Sequence, residues 1–334
     1  MWHVGIDLHR ETVMIAAVND TGEVIKPVRI GCVDTDAIVD VVKALGSFRA
    51  VIEASATYRW LYDLLRPYGT ILLAHPFRLR AMVQRRTKTD KLDAQLLANL
   101  LRINQIPLAY IPPEPYQQLR DLTRRRARLG RELAEAKIQL RALLARQNRQ
   151  APYRVPFGVR GLAWFRGQDF GWIENLVRDE LLARLKHFGR QATIIDGHIA
   201  RMAAAFPQTE AITDIHGIGL YSASLIVAEI GEPERFRTAK QVGAYAGLTS
   251  RVHQSGGHCY HGSISRQGST WLRWILVEAA IKAIREDVAL KNFYQRVRKR
   301  SSAKIARVAV ARKLAEICWK RLRRWQRDHA EQTA

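Results

Sequence analysis

Apolar positions in the first hundred residues fall into short runs separated by polar turns. Residues 2–9, 12–19 and 24–31 each read as a strand, and Gly22 turns the chain between the last two, so the three predict an antiparallel meander. From residue 36 to 45 the apolar positions shift to a helical period. A strand at 49–53, a helix at 58–67, a strand at 70–75 and helices on either side of Thr87 complete the region.

Pro107, Pro112, Pro113 and Pro115 then break the pattern and mark a boundary. Beyond them Leu119, Leu122, Arg126, Leu129, Leu133, Ala136, Leu140 and Leu143 recur at alternating spacings of three and four, which is a heptad seam with one arginine in it. A second seam runs through Leu181, Leu185, Phe188, Ala192, Ile195, Ile199, Met202 and Phe206. Two such helices can pair antiparallel within one chain or across a dimer. Residues 150–171 between them are rich in Pro, Gly, Arg and aromatics, a long loop suited either to clamping single-stranded bases or to packing on its own rings. A third region opens with Ile215-His216-Gly217-Ile218-Gly219, followed by an apolar helix ending at Glu229-Ile230-Gly231. Glycines between two apolar-periodic helices resemble a helix-hairpin-helix module that presents backbone N–H groups to a phosphate, and a plain helical hairpin with a glycine turn is the alternative. A further helix is predicted at 239–248.

The fold class is therefore α/β plus α. Residues 1–112 form a mixed-sheet domain, since three antiparallel strands followed by alternating helices and strands match an RNase H-like sheet. Residues 113–206 form a helical coiled-coil middle, and 207–334 a mostly helical C-terminal domain with a helix-hairpin-helix-like segment.

Charge narrows the function. The 334 residues include 54 Lys and Arg against 31 Asp and Glu, a formal net charge of +23, so a polyanion is the expected partner. No apolar run is long enough to span a bilayer and the N-terminus lacks the features of a signal peptide, so a cytosolic protein without a membrane role is expected. Cys32, Cys259 and Cys318 are too scattered for a disulfide framework or zinc ribbon. His253, His258, Cys259 and His261 lie close together, but their spacing fits no common four-ligand zinc pattern.

Within this basic chain four carboxylates stand out. Asp7 and Glu53 each close an apolar strand, and Asp90 and Asp93 lie three residues apart on one face of a helix start. Hard cations such as Mg2+ take oxygen ligands of this kind together with substrate phosphate. The acids therefore point to phosphodiester chemistry. Later in the chain Ser255 sits in Gln254-Ser255-Gly256-Gly257, a turn that can present a hydroxyl to phosphorus, with Arg266 and Arg273 available to neutralise phosphate oxygens. An ordinary polar turn has the same composition. From 291 to 327 fourteen Lys or Arg face one acid, Glu316, so Arg298, Lys299, Arg300 and Lys304 are candidate phosphate contacts. Lys88, Arg124, Arg125, Arg128, Gly217 and Gly219 join them as candidate nucleic-acid-binding residues.

Gly5-Ile6-Asp7, then Ile52-Glu53-Ala54-Ser55-Ala56-Thr57-Tyr58, then Lys88-Thr89-Asp90-Lys91-Leu92-Asp93-Ala94, then Gly217-Ile218-Gly219, then Ala246-Gly247-Leu248-Thr249 and Ser255-Gly256-Gly257 occur in that order. The series resembles the insertion-sequence transposases of the IS-one-ten family over nearly the whole chain. The resemblance implies a RuvC-like domain with an Asp-Glu-Asp-Asp quartet, here Asp7, Glu53, Asp90 and Asp93, and a C-terminal transposase domain with a nucleophilic serine, here Ser255. It further implies Mg2+ (or Mn2+) as cofactor and DNA, as donor element ends and target, as substrate. A structured bridge RNA would be the guide, and a dimer or tetramer would share the site between protomers in the bacterial cytosol at the nucleoid. His75 departs from that pattern, standing where Asn-Pro usually follows the fifth strand. The competing expectations are a metal-dependent RNase H-like nuclease or junction resolvase that forms no serine adduct, and a nucleic-acid scaffold whose acids are structural.

Overall fold

Alternation of side chains along β1 (Trp2–Leu8) sends Val4 and Ile6 to one face of a sheet and Gly5 and Asp7 to the other. Strand β1 is central. It pairs antiparallel with β2 (Thr12–Asn19), which pairs antiparallel with β3 (Val24–Gly31). After α1 (Thr35–Ala44), strand β4 (Phe48–Glu53) returns parallel to β1. Helix α2 (Arg59–Leu65) then leads to β5 (Thr70–Ala74), parallel to β4, giving the order β3-β2-β1-β4-β5. Pro27 lies in β3 where the β2–β3 register shifts, and β3 is an edge strand, the place where a residue without an N–H is tolerated.

Each face of the sheet is covered. Val4, Ile6, Val13, Ile15, Ala50, Ile52, Ile71 and Leu73 pack with Ile38 and Val42 of α1 and Leu61 and Leu65 of α2 in one buried cluster. On the opposite face α3 (Pro76–Met82) and α4 (Asp90–Arg102) supply Leu79, Leu97 and Leu101 against Val51 and Ala74. Thr87, expected between two helices, falls among residues 83–88. The computed structural model describes residues 1–82, 89–255 and 258–330, arranged as two compact units, Met1–Ile111 and Pro112–Ala334.

The second unit begins with α5 (Glu114–Arg146), with proline in its first turn, where a missing N–H costs no helical bond. It pairs with α7 (Trp172–Ala203). Arg126 meets Asp196 at 2.8 Å while Glu132 meets Arg184 at 3.4 Å, so numbers fall on one helix as they rise on the other and the pair is antiparallel. Arg126 is the odd member of the heptad seam, and the salt bridge together with the Tyr221 ring at 5.5 Å accounts for it. Residues 150–171 are not one long loop: α6 (Val159–Arg166) forms there, with Phe157 stacked on Phe165 and with Phe165 and Phe170 buried against Leu140, Leu143 and Leu181. The rings of that segment pack largely on the hairpin.

The chain continues through α8 (Glu210–Thr213), α9 (Leu220–Ile230), α10 (Ala239–Tyr245), the hairpin β6 (Ser250–Ser255) and β7 (His258–Ile264), then α11 (Thr270–Glu286), α12 (Val288–Arg300) and α13 (Ala303–Ala330). Helix α9 is buried almost all round, in a core shared with α11 and α13. The Asp287 carboxylate accepts from the Leu290 N–H and the Ser302 hydroxyl from the Ile305 N–H, which fixes the starts of the last two helices. Among the described residues no helix is long and apolar enough to cross a membrane.

Candidate active site

Two close approaches bring the acids of the first unit together. A Cβ on Gly5 would lie 2.0 Å from the Ala94 carbonyl oxygen and 2.4 Å from the Ala98 nitrogen, so α4 rests directly on the β1 backbone and only glycine fits. That contact fixes the first turn of α4, which carries Asp90 and Asp93, near Asp7 two residues further along β1. The other end of α4 is held by Arg49, whose guanidinium donates to the Leu101 carbonyl at 2.8 Å and to Asn104 at 2.7 Å. Arg49 Nε also donates to His3 Nδ1 at 3.0 Å, which leaves the buried His3 ring to donate from Nε2 to Asp20 at 2.7 Å. The Asp20 carboxyl, bonded to the terminal amine and to His3, is lowered to about 2.

At the carboxyl end of β1 the His9 Nε2 atom lies 3.0 Å from Asp7 Oδ2 and 3.2 Å from Asp90 Oδ1. Ligand atoms of Asp7, His9 and Asp90 all fall within 4.8 Å of one another. Arg29, on β3, forms an ion pair with the other oxygen of Asp90. Asp7 is 14% exposed. Burial raises its carboxyl above the ordinary value; the nearby His9 pulls the other way, and Asp93 and Asp90 push it higher by like-charge repulsion. Glu53 closes β4 one step beyond the Ile6–Ile52 pairing, so it lies beside Asp7 on the neighbouring strand and on the same face. The tight triad is thus Asp7, His9 and Asp90, with Glu53 and Asp93 flanking it. His75 follows β5 at the same end of the sheet, and burial and Arg78 hold its imidazole below the ordinary value.

The acids were readable in the sequence, whereas His9 and Arg29 were not singled out. His9 could have been found by strand parity, since it lies two residues beyond Asp7 on the same face. Arg29 carried no such signal, because its position depends on the shifted β2–β3 register.

In the second unit Ser255 is the last residue of β6 and pairs with His258 across the hairpin. Gly256 and Gly257, and the side chains of His253, Ser255, His258, Cys259 and His261, lie outside the described residues, as does Lys88. Arg266 is exposed, with a left-handed φ of 54°. The Arg273 guanidinium donates to the Ala246 carbonyl at 3.1 Å, and burial and Arg266 hold it below its ordinary value. The Cys318 thiol is fully buried and pushed up to about 12, which makes it a core residue.

The arginines expected to bind nucleic acid divide into two groups. Arg125, Arg128, Arg298, Lys299, Arg300 and Lys304 are exposed. Arg124 is not available in the same way: its Nε and Nη2 atoms meet the two oxygens of buried Glu229 at 2.7 and 3.0 Å, and Ser269 donates to the same carboxylate at 2.8 Å. A bidentate pair to a buried acid ties α5 to α9 and engages the Arg124 guanidinium within the fold. The two glycines also differ. A Cβ on Gly217 would meet the Ala279 carbonyl at 2.5 Å, whereas Gly219, before α9, faces open space. Gly217 therefore serves packing against α11. Beside Gly219 a cavity of about 540 Å³ is lined by His216, Ser222, Lys282 and Glu286 among others.

Residues 4–148 match a profile for the DEDD-type transposases of the IS110 group, and residues 209–295 match one described as the Transposase IS116/IS110/IS902 family. The chain belongs to the IS110 family of transposases. Both profiles describe transposases. This IS110-family chain is 23% identical to the transposase for insertion sequence element IS1111A of Coxiella burnetii, across 96% of this chain and 89% of that protein. It is 25% identical to the pilin gene-inverting protein of Moraxella bovis, across 80% of this chain and 78% of that one. With the transposase-named y4qE protein of Sinorhizobium fredii it shares 25% identity over 68% of this chain, and it spans 56% of the length of that relative.

Proposed function

We propose that this transposase breaks and rejoins DNA through a covalent phosphoserine link at Ser255, with Asp7, Glu53, Asp90 and Asp93 holding Mg2+ (or Mn2+). A structured bridge RNA selects donor ends and target by base pairing. In this reading the mixed sheet of residues 1–112 is an RNase H-like, RuvC-like domain, as its strand order and two helical layers support. Residues 113–206 are a coiled-coil domain and 207–334 a transposase domain with a helix-hairpin-helix-like segment. The protein works as a dimer or tetramer, in the cytoplasm at the nucleoid.

The observation that carries the reading is the convergence of Asp7 and Asp90, brought from distant parts of the chain to the carboxyl end of one sheet. The donor set fits a divalent cation: carboxylate oxygens predominate, and the half-buried Asp7 carboxyl is crowded by two further acids whose repulsion a cation relieves. Such a cation, when bound, stabilises charge developing on a scissile phosphate.

The remaining chemistry belongs to the chain. The Ser255 hydroxyl gives up its proton as its oxygen bonds to phosphorus, the bond from phosphorus to the departing sugar oxygen breaks, and that oxygen takes up a proton. Attack by a sugar hydroxyl of the second strand reverses these events and restores a phosphodiester without hydrolysis. Arg266 and Arg298-Lys299-Arg300, all exposed, supply charge for phosphate oxygens. Base pairing leaves the protein to read backbone and shape.

The test is a cleavage reaction with the full chain, an element-end duplex, Mg2+ and the RNA transcribed from the flanking DNA. Wild type is expected to yield a protein–DNA adduct resistant to denaturation, with the link mapped to Ser255 by mass spectrometry, and Ser255→Ala to yield none while still binding RNA. Cleavage by Ser255→Ala at the wild-type rate, without adduct, overturns the serine reading and favours hydrolysis by a water nucleophile.

A further inference from the structure

The acid cluster contains one nitrogen donor that the quartet does not account for. His9 Nε2 faces an oxygen of Asp7 at 3.0 Å and an oxygen of Asp90 at 3.2 Å, so a single ring atom is shared between carboxylates from two different elements. Its backbone is held on both sides: the His9 N–H donates to the Thr12 carbonyl at 2.9 Å, and the His9 carbonyl accepts from Cys32 Sγ at 3.6 Å. Strand parity puts the ring on the face that carries Asp7.

The two separations are informative. Ligands at right angles around a cation with bonds of about 2.1 Å lie √2 times that distance apart, or about 3.0 Å. Both His9 edges are close to this length, so the imidazole is spaced as a neighbouring ligand to each carboxylate. Charge points the same way: Asp93 and Asp90 press on Asp7 by like-charge repulsion, which a divalent ion among them would relieve, while Arg29 pairs with Asp90.

We propose that His9 is a direct ligand of the cation site, and that its imidazole biases the site toward Mn2+ over Mg2+. This inference rests on the cation reading given above and adds a ligand to it. Mg2+ is held by oxygen and surrenders its waters reluctantly, whereas a transition-metal ion such as Mn2+ accepts imidazole nitrogen more readily. A site of carboxylates alone would lack that bias.

The experiment uses the full chain with Mn2+ or Mg2+ as the only additive, and needs no DNA cleavage. Mn2+ affinity is read by electron paramagnetic resonance titration, Mg2+ affinity by competition, and nitrogen coordination by spin-echo modulation of the bound Mn2+. Wild type is expected to show coupling to an imidazole nitrogen. His9→Ala is expected to lose the coupling and about tenfold or more in Mn2+ affinity, with Mg2+ affinity changed less than about threefold. His9→Gln, which keeps bulk and polarity, serves if the alanine variant is poorly folded, and the same losses are expected of it. Mn2+ bound through Asp7 but without nitrogen coupling, or bound equally or more tightly after either substitution, overturns the inference and leaves His9 a hydrogen-bond clamp between two acids. If Asp7→Asn also leaves Mn2+ binding unchanged, the cation reading itself fails.

Discussion

A half-buried carboxylate next to two others is a source of instability unless something balances it. Since the folded protein holds the Asp7 carboxyl above its ordinary value, the native state binds this proton more tightly than the unfolded chain does. Ionised Asp7 therefore destabilises the fold above its folded pKa, and the penalty disappears as pH falls below the ordinary carboxylate value. Metal-free Asp7→Asn is expected to melt a few degrees above wild type at pH 7 and at the same temperature near pH 3, with the order at pH 7 reversed by saturating divalent cation; scanning calorimetry at the two pH values checks this. Gly5 provides a steric counterpart. Gly5→Ala places a methyl group inside the van der Waals shell of α4, and a loss of about 3 kcal/mol in urea unfolding is expected, with loss of cation binding because Asp90 and Asp93 move with the helix. Asp7, Glu53, Asp90 and Asp93 were legible because acids at the ends of apolar runs are rare in a basic chain. The partners His9 and Arg29 were less so, since a sequence gives the parity of a strand but not the register that brings a third strand's arginine to a helix.

Heptad spacing identified both long helices and their buried faces, because a period of three and four is written locally. Their partners were not written locally. Arg124 is expected from the sequence to contact nucleic acid, yet it embraces the Glu229 carboxylate, and Arg120 one turn earlier donates to the carbonyls of Ala228 and Glu229 at the end of α9. A charge run on a helix does not reveal which members turn inward when the matching acid is more than a hundred residues away. Glu229→Gln leaves the Arg124 charge without its counterion, and a loss of about 3 kcal/mol is expected by denaturant titration. In the same way α6 escaped the sequence reading, since Pro and Gly around it obscured a helix of two turns whose Phe165 is fully buried. Phe165→Ala is expected to cost about 3 to 5 kcal/mol, and to do so through the α5–α7 hairpin whose aromatic cluster it anchors.

For the whole molecule, the excess of positive charge makes affinity for nucleic acid a function of salt. Replacing exposed Arg298, Lys299 and Arg300 by alanine is expected to flatten the slope of log affinity against log salt by up to about 3, and to weaken binding equally across sequences, as filter binding between low and physiological salt will show. A changed sequence preference with an unchanged slope would place those residues on bases instead. The central claim concerns the acids, and the cleavage rate of Asp7→Asn on an element-end duplex at saturating Mg2+ or Mn2+ tests it most directly, with retained DNA and RNA binding as the control. A fall of about a hundredfold or more is expected, the loss that follows removal of a group stabilising transition-state charge. Cleavage within about threefold of wild type, at equal nucleic-acid binding, would contradict the account.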